Sequence, residues 1–137
     1  MKILFLGDIV GPSGCMVVEK YLKKIVEENK INFVIANGEN AAHNGVGITK
    51  DVLDSLIKFG VNVLTTGNHV WDHKETLKLV EDDNRLLRPF NLIGTSPGKG
   101  FEIYQTSKNF KIGILNLMGN VFMRKSEDVF KTAENFQ

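Results

Sequence analysis

Three short apolar runs, each closed by glycine and each followed by a helix-like stretch, limit this chain more than any other feature. "KILFLG" (2–7), "INFVIANG" (31–38) and "VNVLTTG" (61–67) recur at intervals of roughly thirty residues. Runs of this length bounded by glycine read as strands buried on both faces of a sheet. Between the first two, Val18, Tyr21, Leu22, Ile25 and Val26 fall at helical spacing, with Lys20, Lys23, Lys24, Glu27 and Glu28 on the opposite side. Ser13 stands where an N-cap is expected. Val52, Leu53, Leu56, Ile57 and Phe59 form a second such face, with Thr49 positioned to cap its start and Gly60 its end. After the third run, Asp72, His73, Lys74 and Glu75 have the pattern of a capping box opening a helix that runs to about residue 82. Repeated strand-helix units require a parallel sheet with crossover helices, so the fold class is α/β.

Beyond Pro89 the texture changes. "FEIYQT" and "FKIGILNL" are separated by Ser107, Lys108 and Asn109, which predicts an antiparallel hairpin. "TSPGKG" (95–100) reads as a loop. "SEDVFKTAENFQ" begins like a capped helix and carries no stop signal, so the expectation is one domain over 1–137, cut rather than finished.

Composition excludes several classes. With 42% hydrophobic and 24% charged residues among 137, neither disorder nor a fibrous repeat is indicated. A formal net charge of +1 gives no nucleic-acid footprint, and no apolar run has the length of a membrane span. No stable nucleic-acid partner and no membrane association are expected. Cys15 is the single cysteine, which fits a reducing compartment and a half-buried helix position. A cytoplasmic location follows as the expectation.

The chemistry collects behind the strands. Asp8 follows the first, Glu39 and Asn40 the second, Asn68 and His69 the third. In a parallel sheet these carboxyl ends share one edge, the edge at which open α/β folds bind ligands. Two nearby carboxylates repel unless one is protonated or a cation lies between them. Oxygen donors with an imidazole and no thiolate suit manganese, iron or zinc. Each residue alone has a plainer reading: a turn residue for Asp8, Asn40 or Asn68, a solvated charge for Glu39, a satisfied polar group for His69. Their convergence favours a shared site. His43 reads as a loop hydrogen-bonding residue, His73 as a solvated first-turn histidine, Trp71 as packing under its loop and Arg88 as a surface or turn residue rather than a phosphate clamp.

"GDIVG", "NGENAAHNGVGIT", "TTGNHVWD", "RPFN" and "TSPGKG", in this order, resemble the YmdB-like family of calcineurin-type metallophosphoesterases. The resemblance implies the N-terminal portion of a metallophosphoesterase-type α/β sandwich with parallel strands, flanking helices and a C-terminal β-hairpin. It implies a two-metal phosphodiesterase, with iron or manganese favoured over zinc, that hydrolyses cyclic mononucleotides or related small phosphodiesters by attack of a metal-bridging hydroxide. Asp8 matches a ligand of the first metal, Glu39 the bridging carboxylate, Asn40 an amide ligand at the first metal and Asn68 one at the second. His69 matches the histidine that assists the leaving group.

The family's remaining ligands are histidines in its second half, whereas His43, His69 and His73 are the only histidines in this chain. A missing C-terminal half or a homo-oligomer is therefore expected to supply them. The competing reading is a non-catalytic nucleotide- or metal-binding fragment, with Gly7, Gly11 and Gly14 of "GDIVGPSG" as a phosphate loop.

Overall fold

The computed structural model describes residues 1–94, 96–106, 109–123 and 125–136. Four parallel strands, β1 (Ile3–Val10), β2 (Phe33–Asn40), β3 (Val63–Thr65) and β4 (Leu86–Leu87), form a sheet in the order β1-β2-β3-β4. Helices α1 (Gly11–Asn29), α2 (Lys50–Phe59) and α3 (Lys74–Asp82) connect them. A hairpin, β5 (Phe101–Gln105) and β6 (Lys111–Leu115), and a short α4 (Val129–Asn135) follow. The α/β class and the antiparallel hairpin are as the sequence predicts. Ser107 and Lys108, expected in the hairpin turn, and Thr95, expected in the 95–100 loop, lie outside the described residues.

Strand alternation divides the sheet into two packed faces. Val34, Ala36, Leu64 and Leu86 point to the helices, where Val18, Leu22, Leu53, Leu56, Leu79 and Val80 bury against them. Phe33, Val63 and Leu87 point the other way, onto Ile112 and Ile114 of the hairpin. Each large aliphatic chain buried here stabilises the fold by roughly 1.5–3 kcal/mol. Residues 50–59 follow the predicted amphipathic face, with Leu53 and Leu56 at 0% exposure and Gly60 ending α2 at φ 115°.

Several local expectations are overturned. β1 is not buried on both faces: it is an edge strand, and Phe5 is 59% and Ile3 46% exposed. These two register with Ile35 and Phe33 and share their side of the sheet, but the hairpin does not reach that far. α1 begins at Gly11, so Ser13 lies inside it and its hydroxyl donates back to the Val10 carbonyl. Tyr21 and Ile25 turn outward while Val18 and Leu22 are buried. Thr49 is the N-cap of α2 without a capping side-chain bond. The capping box at 72–75 does not form: His73 occupies the N-cap of α3, and Glu75 instead accepts the Lys50 amide at 2.7 Å, closing the start of α2.

Candidate functional site

The carboxyl ends of β1, β2 and β3 lie side by side because the strands are parallel and adjacent. In β1 the register with β2 shifts on both sides of Asp8, a bulge that re-aims a strand side chain. Asp8 stays exposed, and its Oδ2 accepts a 2.9 Å hydrogen bond from Asn40 Nδ2. With Nδ2 committed to Asp8, Oδ1 of Asn40 is the atom left for a cation.

Glu39 points toward the third strand end. The Asn37 side chain accepts the Glu39 amide and the Glu39 carbonyl accepts the Gly47 amide, which fixes the backbone. Its carboxylate lies on Gly67: a methyl added at Gly67 would sit 2.1 Å from Oε2. Oε2 is buried and has no hydrogen-bond partner. A buried carboxylate oxygen without a donor costs free energy that a cation would recover.

Gly67 leads directly into a 3-10 turn over Asn68–Trp71, which packs against β2. Val70, at 0% exposure, and the partly buried Trp71 anchor the turn on the core, leaving Asn68 and His69 half-buried at its start. His69 Nδ1 lies 3.0 Å from Asp72 Oδ2, so one ring nitrogen is engaged and Nε2 faces elsewhere. The structure thus pairs Asp8 with Asn40, and Glu39 with the glycine before Asn68. Among the described residues no hydrogen bond joins Asp8 or Asn40 to Asn68 or His69. Nor, among them, do three His, Cys, Asp or Glu side chains cluster as a metal site; the donor set is two carboxylates and two carboxamides. Such oxygen donors fit a divalent cation, and the orphaned Glu39 oxygen marks where one would be needed.

Two residues of this region escaped the sequence reading. Gly67 provides the space that the Glu39 carboxylate occupies, and Asp72 holds the imidazole. The i, i+3 spacing of His69 and Asp72 in "NHVWD" is the signal that could have revealed the second. His73 is half-buried, and its Cβ lies against Gly47. Arg88 is a loop clamp: its guanidinium donates to the carbonyls of Pro89 and Pro97, and burial pushes its pKa down. The phosphate-loop alternative loses its loop, because β1 runs to Val10 and α1 starts at Gly11, with Gly14 packed on Ile9 inside the helix.

A four-stranded parallel sheet with helices on one face, a hairpin on the other and a polar carboxyl edge has the fold of a metallophosphoesterase-type α/β sandwich. The sequence profile of the YmdB-like protein family matches residues 4–137, and the chain belongs to that family. It is 40% identical over 134 residues to a 2',3'-cyclic-nucleotide 2'-phosphodiesterase of Bacillus subtilis (strain 168), a match covering 98% of this chain and 50% of the relative. The crystal structure of a novel phosphatase from Mycoplasma pneumoniae superposes with a TM-score of 0.88 at 32% identity, over 98% of this chain and 49% of that one. A hypothetical protein from Thermus thermophilus gives 0.87 at 34% identity, over 98% and 51%. The chain spans about half the length of these relatives.

Proposed function

We propose that this chain carries part of the site of a metal-dependent phosphodiesterase acting on cyclic mononucleotides or related small phosphodiesters. The observation that carries the reading is the buried, unpartnered Glu39 oxygen beside Gly67, at the edge that also holds Asp8 and Asn40. The B. subtilis relative's phosphodiesterase name supports the substrate class. Asp8, Glu39, Asn40 and Asn68 would hold divalent cations, iron or manganese before zinc. When bound, such cations polarise a phosphoryl group and provide an activated water at neutral pH.

The chain's own residues do the rest. Glu39 would contribute a carboxylate, and with it negative charge, to hold the cations. The neutral carboxamides of Asn40 and Asn68 would add oxygen donors without cancelling further positive charge. Asp72 accepts from Nδ1 of His69 and so fixes the ring's orientation, leaving Nε2 to donate a proton to the departing alkoxide when the ring is protonated.

Two carboxylates and two amides do not complete two metal coordination spheres. The remaining donors would come from a polypeptide equivalent to the unmatched half of the relatives, or from a second copy of this chain. No helix among the described residues is long and apolar enough to cross a membrane. A cytoplasmic setting agrees with the single, free Cys15.

The test is metal analysis of the chain and hydrolysis of a 2',3'-cyclic nucleotide, alone and mixed with the unmatched half of the B. subtilis relative. Metal uptake that Glu39→Gln weakens, with turnover only in the mixture, is the expected result. In that mixture His69→Ala keeps the metal and loses most turnover. Undiminished turnover and metal content in Glu39→Gln would overturn the assignment. Metal uptake without turnover in the mixture would instead favour a binding fragment.

A further inference from the structure

The Asn68–His69 segment is short, and β3 ends at Thr65, three residues before it. Something beyond the strand ladder must fix where it leaves the sheet. Asn116, directly after β6 and 9% exposed, meets that need. Its Nδ2 donates to the Thr66 carbonyl at 2.8 Å and to the Leu87 carbonyl at 3.0 Å. Those carbonyls belong to the exits of two neighbouring strands, and Leu87 also accepts from the Thr66 amide and hydroxyl. Asn116 is itself immobilised: its amide donates to Gly100 and its carbonyl accepts from Phe90. One carboxamide, fifty positions along the chain, thus joins the hairpin to the residue preceding Gly67.

We propose that Asn116 is a positioning residue for Asn68 and His69, holding the 66–70 segment at the height where Gly67 meets Glu39. The proposal rests on the functional reading above for its consequence, metal binding, but its structural claim is separately measurable. Both amide protons of the carboxamide are spent on main-chain oxygens. Replacing it by a carboxylate of the same shape puts negative charge against those oxygens instead and releases the segment.

Asn91 supplies an internal control. It is 1% exposed and equally committed, donating to the Met118 and Glu127 carbonyls and accepting the Met118 amide, away from the 66–70 segment. A merely structural role for Asn116 would make the two asparagines interchangeable.

The experiment compares amide hydrogen exchange at residues 67–70, melting temperature and Mn2+ affinity in the 137-residue chain and in Asn116→Asp, Asn116→Ser and Asn91→Ala. The serine variant keeps one donor and serves if the aspartate variant does not fold. Asn116 variants are expected to exchange about tenfold faster at 67–70 and to bind Mn2+ about tenfold more weakly, the size seen when a residue supporting a metal ligand is removed. Asn91→Ala should lower the melting temperature while leaving both readouts at wild-type values. Unchanged exchange at 67–70 in the folded Asn116 variants, or an equal effect in Asn91→Ala, overturns the proposal. Absence of Mn2+ binding by the wild-type chain and by its mixture with the unmatched half overturns the functional reading, while the exchange pattern still decides the role of Asn116.

Discussion

Gly67→Ala separates the proposed metal binding from folding more cleanly than removal of a proposed ligand. Gly67 has φ −140°, outside the left-handed region that favours glycine. It is required by space. A Cβ there would stand 2.1 Å from Glu39 Oε2, 2.6 Å from Cδ and 2.7 Å from Oε1, whereas real Cβ atoms essentially never approach closer than 3.0 Å. The carboxylate oxygen must therefore move by at least the difference, about 0.9 Å. Metal–oxygen bonds at such sites are only about 2.0–2.2 Å long, so a shift of this size ends the coordination.

The expected loss is at least about 100-fold in Mn2+ affinity, or about 2.8 kcal/mol at 1.4 kcal/mol per factor of ten. Folding should barely respond. A displaced Glu39 rotamer costs only about 0.5–1.5 kcal/mol. Titration calorimetry with Mn2+ and a thermal melt of the metal-free chain read the two quantities separately. Wild-type affinity in Gly67→Ala would refute the placement of a cation at Glu39. A fall in melting temperature of more than about 10 °C would refute the argument that the methyl displaces a side chain rather than the backbone.

Two further outcomes follow from groups away from the site. Arg85 donates from Nε to Asp83 Oδ1 at 2.9 Å and from a terminal nitrogen to Oδ2, and these bonds hold the Asp83 carboxyl below its ordinary range. Because the folded-state pKa is depressed, the stabilisation is complete above the unfolded value near 3.9 and disappears as pH falls through the folded one. Asp83→Asn should then cost about 1 kcal/mol at pH 7 and nothing in strong acid, as read by urea melts at several pH values; a pH-independent difference would contradict it. Burial pushes the Cys15 thiol up, and its Sγ lies 3.7 Å from the Ala41 carbonyl. Cys15 should therefore react with iodoacetamide at pH 7.5 more slowly than free cysteine, and a faster reaction would exclude the packed position.

What the sequence disclosed depended on how local each cause was. Glycine-closed apolar runs and the 3.6-residue period located β1 to β3, α1 and α2, and the 72–75 pattern pointed to α3, since these signals are written in neighbouring residues. β4 passed unnoticed because two residues, Leu86 and Leu87, carry no period. The capping box failed for a related reason. Glu75 found a tertiary partner in the Lys50 amide, and nothing in four residues announces a contact twenty-five positions away. The candidate site was legible through topology, because parallel strands must present Asp8, Glu39 and Asn68 on one edge. Its supports were not. Gly67 matters through a close approach by Glu39, and Asn116 through two carbonyls far from it in sequence.

The chemical and the packing deficits meet on one strand. β1 brings Asp8 to the carboxyl edge, where the proposed donor set falls short of two coordination spheres, and it presents Ile3 and Phe5 where no hairpin covers them. Phe33 and Val63 lie on the same face of the sheet and are 4% and 0% exposed, while Ile35 is only half-buried, so the cover of the hairpin thins across β2 and leaves Ile3 and Phe5 of β1 exposed. An edge strand of eight residues with an apolar face is a surface that soluble proteins ordinarily pair or cover. A polypeptide that supplied the proposed remaining metal donors would thus have a second reason to bind here, since covering Ile3 and Phe5 would recover apolar burial at the strand that carries Asp8.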